Sequence, residues 1–418
     1  MILPIGDDAV AGNGLLDRRL FLKGGLVGGL TLLSASAHGV ERRDWMKTPG
    51  SSLSDEGIPS PHESHVKRTS IRTAPGTSGS GISSTPHEHL DGIITPSRLH
   101  FERHHSGIPE IRPDEHRLVI HGQVERPLSF SLDSLARYPT VSRIHFLECA
   151  GNSGALLMPK PIQGPCSSLH GLISGSEWGG VPLSSLLNEA GVKSGARWIL
   201  AEGADSSVMS RSIPLDKAMD DALVALYQNG ERLRPANGYP MRLFLPGWEG
   251  NTSVKWLRTL KVVDEPAMTR DETSKYTDLQ RDGSSKIFTF EMGVKSIITK
   301  PSPGLQLHEV GVYPISGIAW SGGGRIRRVD VSADGGRSWG EAALDEHVLP
   351  KSLTRFRIPW RWDGGPAVIL SRATDERGEV QPTRETVLGA RSAAGFYHNN
   401  CMQAWRVDPE GTITHVYI

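Results

Sequence analysis

The sequence predicts an α+β domain followed by an immunoglobulin-like β-sandwich. Three observations carry that expectation. Between residues 96 and 290 the apolar residues fall in short, turn-broken runs with only brief helical stretches, and no GxGxxG follows a strand, so a doubly wound dinucleotide-binding sheet is not expected. From residue 291 the chain alternates at period two between Gly-rich turns, as sandwich strands do. At 418 residues it is also longer than one domain usually is.

Taken in order, the chain opens on an address. Arg18 and Arg19 in DRRLFLKGG precede a weakly apolar run and Ala35-Ser36-Ala37, an A-x-A cleavage site. Residues 1–37 therefore read as a twin-arginine leader for export to the periplasm. Its apolar part is too short to span a bilayer, so no membrane span is expected. This export route carries folded cargo, which points to a cofactor acquired before export. Residues 38–95 are rich in Ser, Pro, Gly, Thr and His, with too few large apolar side chains for a core, and read as a flexible arm. Its histidines (His62, His65, His87, His89) resemble a metal tract but read as solvated linker residues or as part of an arm that packs on a partner subunit.

In residues 96–290, LVIHGQV and SFSLDSLARYP suggest strands and a short helix, and SEWGGVPLSSLLNEAGV a turn and then an amphipathic helix. ARWILAEGA and PMRLFLPG are further strands. In residues 291–418, Trp320 and Trp339 are spaced as core aromatics of the sandwich, whose exposed sheet face suits a homodimer.

Charge excludes some partners. With 46 basic and 46 acidic residues and no long basic run, neither nucleic acid nor an anionic membrane surface is expected. Three cysteines (Cys149, Cys166, Cys401) cannot build a disulfide scaffold. There is no CxxCH for haem and no CxxC pair for zinc or iron–sulfur, so redox chemistry here needs a cofactor held mainly by non-covalent contacts.

Four clusters carry candidate chemistry. In RIHFLECAGNSG, residues 143–154, an apolar strand delivers Cys149 to a turn of small residues, either as a ligand or as half of a disulfide. The others are FERHH (Phe101, Arg103, His105), Asp205 with Arg211-Ser212, and Pro240-Met241-Arg242 with PGWEGNTSVKW, which contains Ser253 and Lys255. Arginine, lysine and histidine donors converging from separate loops suit an anionic, phosphate-bearing cofactor, since charge-assisted hydrogen bonds are the strong ones.

FERHH with GIP, ECAGN, the W-x-G-V-x-L at Trp178, SIPL, GYPMRLFLPG, VKWL, AWSGGGRIRRVDVSADGGRSW and SRATDERGEVQP together resemble the sulfite oxidase family of molybdopterin enzymes over residues 96–418. The resemblance implies a molybdopterin-binding catalytic domain (96–290), an immunoglobulin-like dimerisation domain (291–418), and molybdenum–molybdopterin bonded through Cys149. It implies cofactor or active-site contacts at Phe101, Arg103, His105, Asp205, Arg242, Ser253 and Lys255. The family's HGFP histidine falls on Asn237, which weakens or replaces that contact, and Tyr276 is the nearest candidate for the active-site tyrosine. Relatives that oxidise free sulfite read CAGNRR, whereas this chain has Ser153-Gly154. Losing a bidentate cation there should weaken sulfite binding by about 1.5–3 kcal/mol unless other charge replaces it.

That departure looks like the sulfane dehydrogenase subunit of the Sox thiosulfate-oxidising system. The resemblance then implies a sulfur-carrier protein as substrate, a c-type cytochrome subunit as acceptor, and a homodimer within a heterotetramer. A sulfite dehydrogenase is the alternative. From another class, a metal-free accessory protein keeping the fold is separable by elemental analysis.

Overall fold

The computed structural model describes residues 9–18, 43, 46–48, 58–73, 78–390 and 397–418. Most of the expected leader, including Arg19 and Ala35-Ser36-Ala37, lies outside the described residues.

The first unit is built on two main sheets. One runs Ser210–Pro214, Trp198–Gly203, Leu257–Val263, Leu118–Gly122, Leu128–Phe130, all antiparallel except the central pair Leu257–Val263 and Leu118–Gly122. The other runs Glu231–Arg232, Leu223–Gln228, Ile173–Pro182, Val141–Glu148, with Arg242–Phe244 added beside Leu223–Gln228. Between them sits the helix Leu183–Ala190, which buries Leu183, Leu186, Leu187 and Ala190 on one stripe at helical spacing and stops at Gly191, whose φ is +71°.

Two expectations change here. SEWGGVP is strand, not turn, because Ile173–Pro182 runs straight through Gly179 and Gly180. A Cβ on Gly180 would lie 2.2 Å from the Val224 carbonyl oxygen, so glycine there permits tight strand approach. The arm is not flexible throughout either. Thr69–Thr73, Gly81–Ser84 and Glu102–His104 form a three-stranded sheet, and Ser83 to Glu88 are buried. His62, His65 and His89 are exposed as expected, but His87 is buried and its Nε2 lies 3.0 Å from the Ile173 carbonyl.

The second unit is a sandwich. Lys295–Lys300, Gly311–Trp320 and Thr354–Trp362 form one face, and Gly340–Glu341, Ile326–Ser332, Ala367–Asp375, Ala404–Val407 and Ile413–Val416 the other. Trp320, Trp360, Trp405 and Phe356 fill the space between, all fully buried. Trp339 is a correction: it is half-buried and lies under the Arg372 guanidinium, 4.4 Å from ring to Cζ. The two units meet backbone to backbone. Met292 N donates to the Gly247 carbonyl at 3.0 Å and Gly322 N to the Met292 carbonyl at 2.8 Å. A Cβ on Gly322 would come within 2.2 Å of Gly247 O.

Candidate active site

Cys149 follows directly on the strand Val141–Glu148 and is half-buried, with its thiol free. Its N–H donates to the Leu172 carbonyl at 2.9 Å, and its carbonyl accepts from Asn152 N at 2.8 Å, so the backbone fixes where the sulfur points. Cys166 and Cys401 are buried and neither is in a disulfide, which removes the disulfide alternative for all three thiols.

Cys149 opens into a cleft of about 710 Å³, a volume that includes its open mouth. The ten residues for which the family resemblance implied a contact or an active-site place line it: Phe101, Arg103, His105, Cys149, Asp205, Asn237, Arg242, Ser253, Lys255 and Tyr276. Arg211 does not reach it. That side chain is fully buried and ion-paired to Glu249 and Glu272, each at 2.9 Å, so the Arg211-Ser212 cluster is a structural one.

The charges in the cleft are held by neutral groups. Lys255 Nζ donates to the carbonyls of Arg103 and Ala236, each at 3.2 Å, lies 2.8 Å from His104 Nδ1, and sits 4.2 Å above the Trp256 ring. Burial, then the field of Arg242, push the Lys255 ammonium well below its usual pKa. Arg242 donates to the Asn237 and Ser253 carbonyls at 2.9 and 2.7 Å, while its buried Nε has no partner. Burial lowers Arg242 to about 9. Two depressed cations and an orphaned guanidinium N–H are a site short of negative charge. A phosphate-bearing group would complete it.

The remaining residues set orientation. Asp205 accepts from Met209 N at 3.1 Å and from the Ser207 and Ser106 hydroxyls at 2.7 and 3.2 Å. Ser253 Oγ accepts from Leu245 N at 3.0 Å, and Asn237 Nδ2 donates to Gln228 Oε1 at 2.8 Å. Phe101 stacks on His100 with ring centres 5.1 Å apart. Tyr276 Oη lies 2.9 Å from His105 Nε2, and burial with the nearby Cys149 sulfur drives the phenol pKa well up. Tyr276 and Trp256, both in the cleft wall, have φ of 50° and 54°, a left-handed backbone that side-chain-bearing residues adopt at a cost. His104 and Trp256 also line the cleft; both stand inside the FERHH and PGWEGNTSVKW clusters, without an assigned contact. Met209, which lines it too, was missed in the sequence.

Beneath Cys149 runs a buried ion lattice. Glu148 accepts from Lys295 Nζ at 3.1 Å, Asn152 Nδ2 at 2.9 Å and Trp320 Nε1 at 2.6 Å. Lys295 also donates to Ser153 Oγ and to the Asn399 carbonyl, each at 2.7 Å. Ser153 Oγ lies 2.7 Å from His170 Nδ1 and is buried away from the cleft. Among the described residues no group of three or more His, Cys, Asp or Glu is placed to hold a metal ion, so a metal on Cys149 would bring most of its own ligands.

Burial lowers eight of the described histidines: His87, His100 and His104 to about 3, His105 and His145 to about 4, His170 well below the usual value, and His116 and His415 as well. The unfolded chain, with histidine near 6.5, takes up protons in this window that the folded chain refuses. Stability should be flat above pH 7 and fall from about pH 6.5 to 4, by about 1.4 kcal/mol per pH unit for each proton. Urea midpoints measured across that range test this; a midpoint that rises on acidification contradicts it.

Among known families, the one described as oxidoreductase molybdopterin binding domain matches residues 105–270, and the Mo-co oxidoreductase dimerisation domain matches residues 286–404. Mitochondrial sulfite oxidase of Mus musculus is 34% identical over 335 residues, 74% of this chain and 60% of the relative. Sulfite oxidase of Gallus gallus is 32% identical over 69% of this chain and 68% of its own length. The NADH nitrate reductase of Ulva prolifera is 31% identical, but the chain spans only 43% of it. Among solved structures, the sulfane dehydrogenase SoxCD from Paracoccus pantotrophus superposes with a TM-score of 0.87 at 45% identity, covering 90% of this chain and 98% of the matched one.

Proposed function

Because this chain belongs to the sulfite oxidase family of molybdopterin oxidoreductases, we propose that it is the molybdenum subunit of a periplasmic sulfane dehydrogenase. It oxidises a sulfane sulfur carried on a partner protein's cysteine and hands the electrons to a c-type cytochrome subunit. The observation that carries the choice of substrate is the floor beside Cys149. Ser153 is bonded to Lys295 and His170, and Gly154 has no side chain, so this turn offers no cation to a free sulfite dianion. Identity of 45% to a sulfane dehydrogenase chain supports the same reading.

The residues of the cleft fit molybdenum–molybdopterin. Arg242 and Lys255 are placed to neutralise its phosphate, with Asp205, Asn237 and Ser253 offering hydrogen bonds and Phe101 an apolar face. Cys149 is the protein's own metal ligand. Burial raises its thiol pKa, so metal binding must displace a proton that the cleft otherwise keeps on the sulfur. When bound, the group supplies two-electron oxidation of sulfur. Arg103 stabilises negative charge developing near Cys149, an electrostatic role. His105, neutral above about pH 4, holds the Tyr276 hydroxyl in place and hydrogen-bonds the cofactor without carrying charge. The match to the dimerisation family supports a homodimer, assembled with the cytochrome as a heterotetramer.

Steady-state cytochrome reduction by molybdenum-loaded enzyme tests this. Persulfide-loaded carrier should be the preferred substrate, with kcat/KM for free sulfite lower by about 10- to 100-fold, the ratio expected for one missing bidentate cation. Sulfite turned over as efficiently as carrier would instead make the chain a sulfite dehydrogenase. The mouse and chicken sulfite oxidases among its relatives favour that second reading.

A further inference from the structure

One piece of the expected leader is described, and it is folded onto the second unit. Ala9–Ala11 and Leu15–Leu16 form a small antiparallel hairpin, and Leu15 pairs with Trp360 at the edge of Thr354–Trp362. Arg361 N donates to the Gly14 carbonyl and Trp360 Nε1 to the Asn13 carbonyl, both at 2.7 Å. Asn13 Nδ2 donates to the Ala333 carbonyl at 2.8 Å, and Gly12 N to Ser338 Oγ at 2.6 Å.

Leu15 is fully buried in the sandwich core with Trp320 and Trp360. The fit is selective. Gly14 has φ of 86°, and a Cβ there would lie 2.0 Å from Arg361 O; a Cβ on Gly12 would lie 2.4 Å from Asp334 Oδ2. Four residues past Gly14, Arg18 is ion-paired to Glu341 and donates to the Ala342 carbonyl at 3.4 Å.

We propose that the edge of this sheet is a docking slot for the chain's own leader, and that a docked leader competes with capture of the arginine pair by the export machinery. The proposal rests on the reading of residues 1–37 as a twin-arginine leader. Strand addition supplies main-chain bonds and a pocket for one side chain, the usual basis of such recognition. The slot is made from residues 333–361, so it exists only after the C-terminal unit has folded. An Arg18 engaged with Glu341 is not free for an acidic receptor. The clasp therefore holds the precursor back while the cleft is being filled.

The test uses the full-length precursor. In hydrogen exchange, residues 12–16 should exchange at least about tenfold more slowly in the wild type than in Leu15→Asp or Gly14→Val, as expected of docked backbone. Glu341→Gln keeps the hairpin and removes the charge that pairs with Arg18, leaving only its 3.4 Å bond to the Ala342 carbonyl. In pulse-chase export, all three variants should leave the cytoplasm several-fold faster than wild type, and the processed enzymes should have wild-type activity. Residues 12–16 exchanging at free-peptide rates overturn the docking. Variants exported no faster overturn the competition. N-terminal sequencing of the exported enzyme checks the leader separately: residues 1–37 retained would overturn the leader reading and the competition with it, while the exchange result alone decides the docking.

Discussion

Cys149→Ser should reduce turnover to background while the melting temperature stays within about 3 °C of wild type, an offset of less than about 1 kcal/mol. The substitution changes one atom. The backbone bonds that fix this position, Cys149 N to Leu172 O and Asn152 N to Cys149 O, do not involve the side chain. Gly250 packs against the Cys149 backbone, a contact serine also keeps. What is lost is the soft donor: a serine hydroxyl is a poor ligand for a metal that prefers thiolate. Elemental analysis and calorimetry on one preparation separate the two halves of this outcome. Retained turnover would show that the metal is bonded elsewhere.

Lys295→Met should cost about 3–5 kcal/mol of unfolding free energy, the range for removing one partner of a buried ion pair. Lys295 and Glu148 are each about 1% exposed. Without the ammonium, the Glu148 carboxylate keeps only Asn152 and Trp320 as donors, and Ser153 Oγ and the Asn399 carbonyl lose theirs. Because Glu148 is the residue before Cys149, the loss should also lower the molybdenum content of purified enzyme. The double variant Glu148→Gln, Lys295→Met should recover part of the stability, since no charge is then stranded. Denaturant titration of both singles and the double measures the coupling; a double that is merely additive would mean that the pair does not interact.

The cleft was legible because its chemistry sits in short motifs. FERHH, ECAGN, Arg242 and Lys255 declare themselves by polar residues where a core would be apolar, and the fold brings them to one place. The lattice beneath them was not, because Glu148 and Lys295 are 147 residues apart and either alone reads as an ordinary surface charge. The arm was misread for a related reason. Large apolar side chains are the usual sign of burial, but residues 83–88 are buried through small and polar contacts: Thr85 Oγ1 donates to the Leu99 carbonyl at 2.9 Å, and Glu88 accepts from Ser167 N and Oγ at 3.1 and 2.7 Å. The strand through Gly179 and Gly180 was hidden because glycine signals a turn unless the neighbouring backbone is known to crowd it.

The glycine contact between the units limits how the two can move against each other. With Gly247 and Gly322 too close for even a methyl group and their main chains hydrogen-bonded through Met292, there is no slack at this seam for a hinge. The cleft is lined by residues from His100 to Tyr276 alone, so it lies within the first unit and its walls do not depend on how the second is set against it.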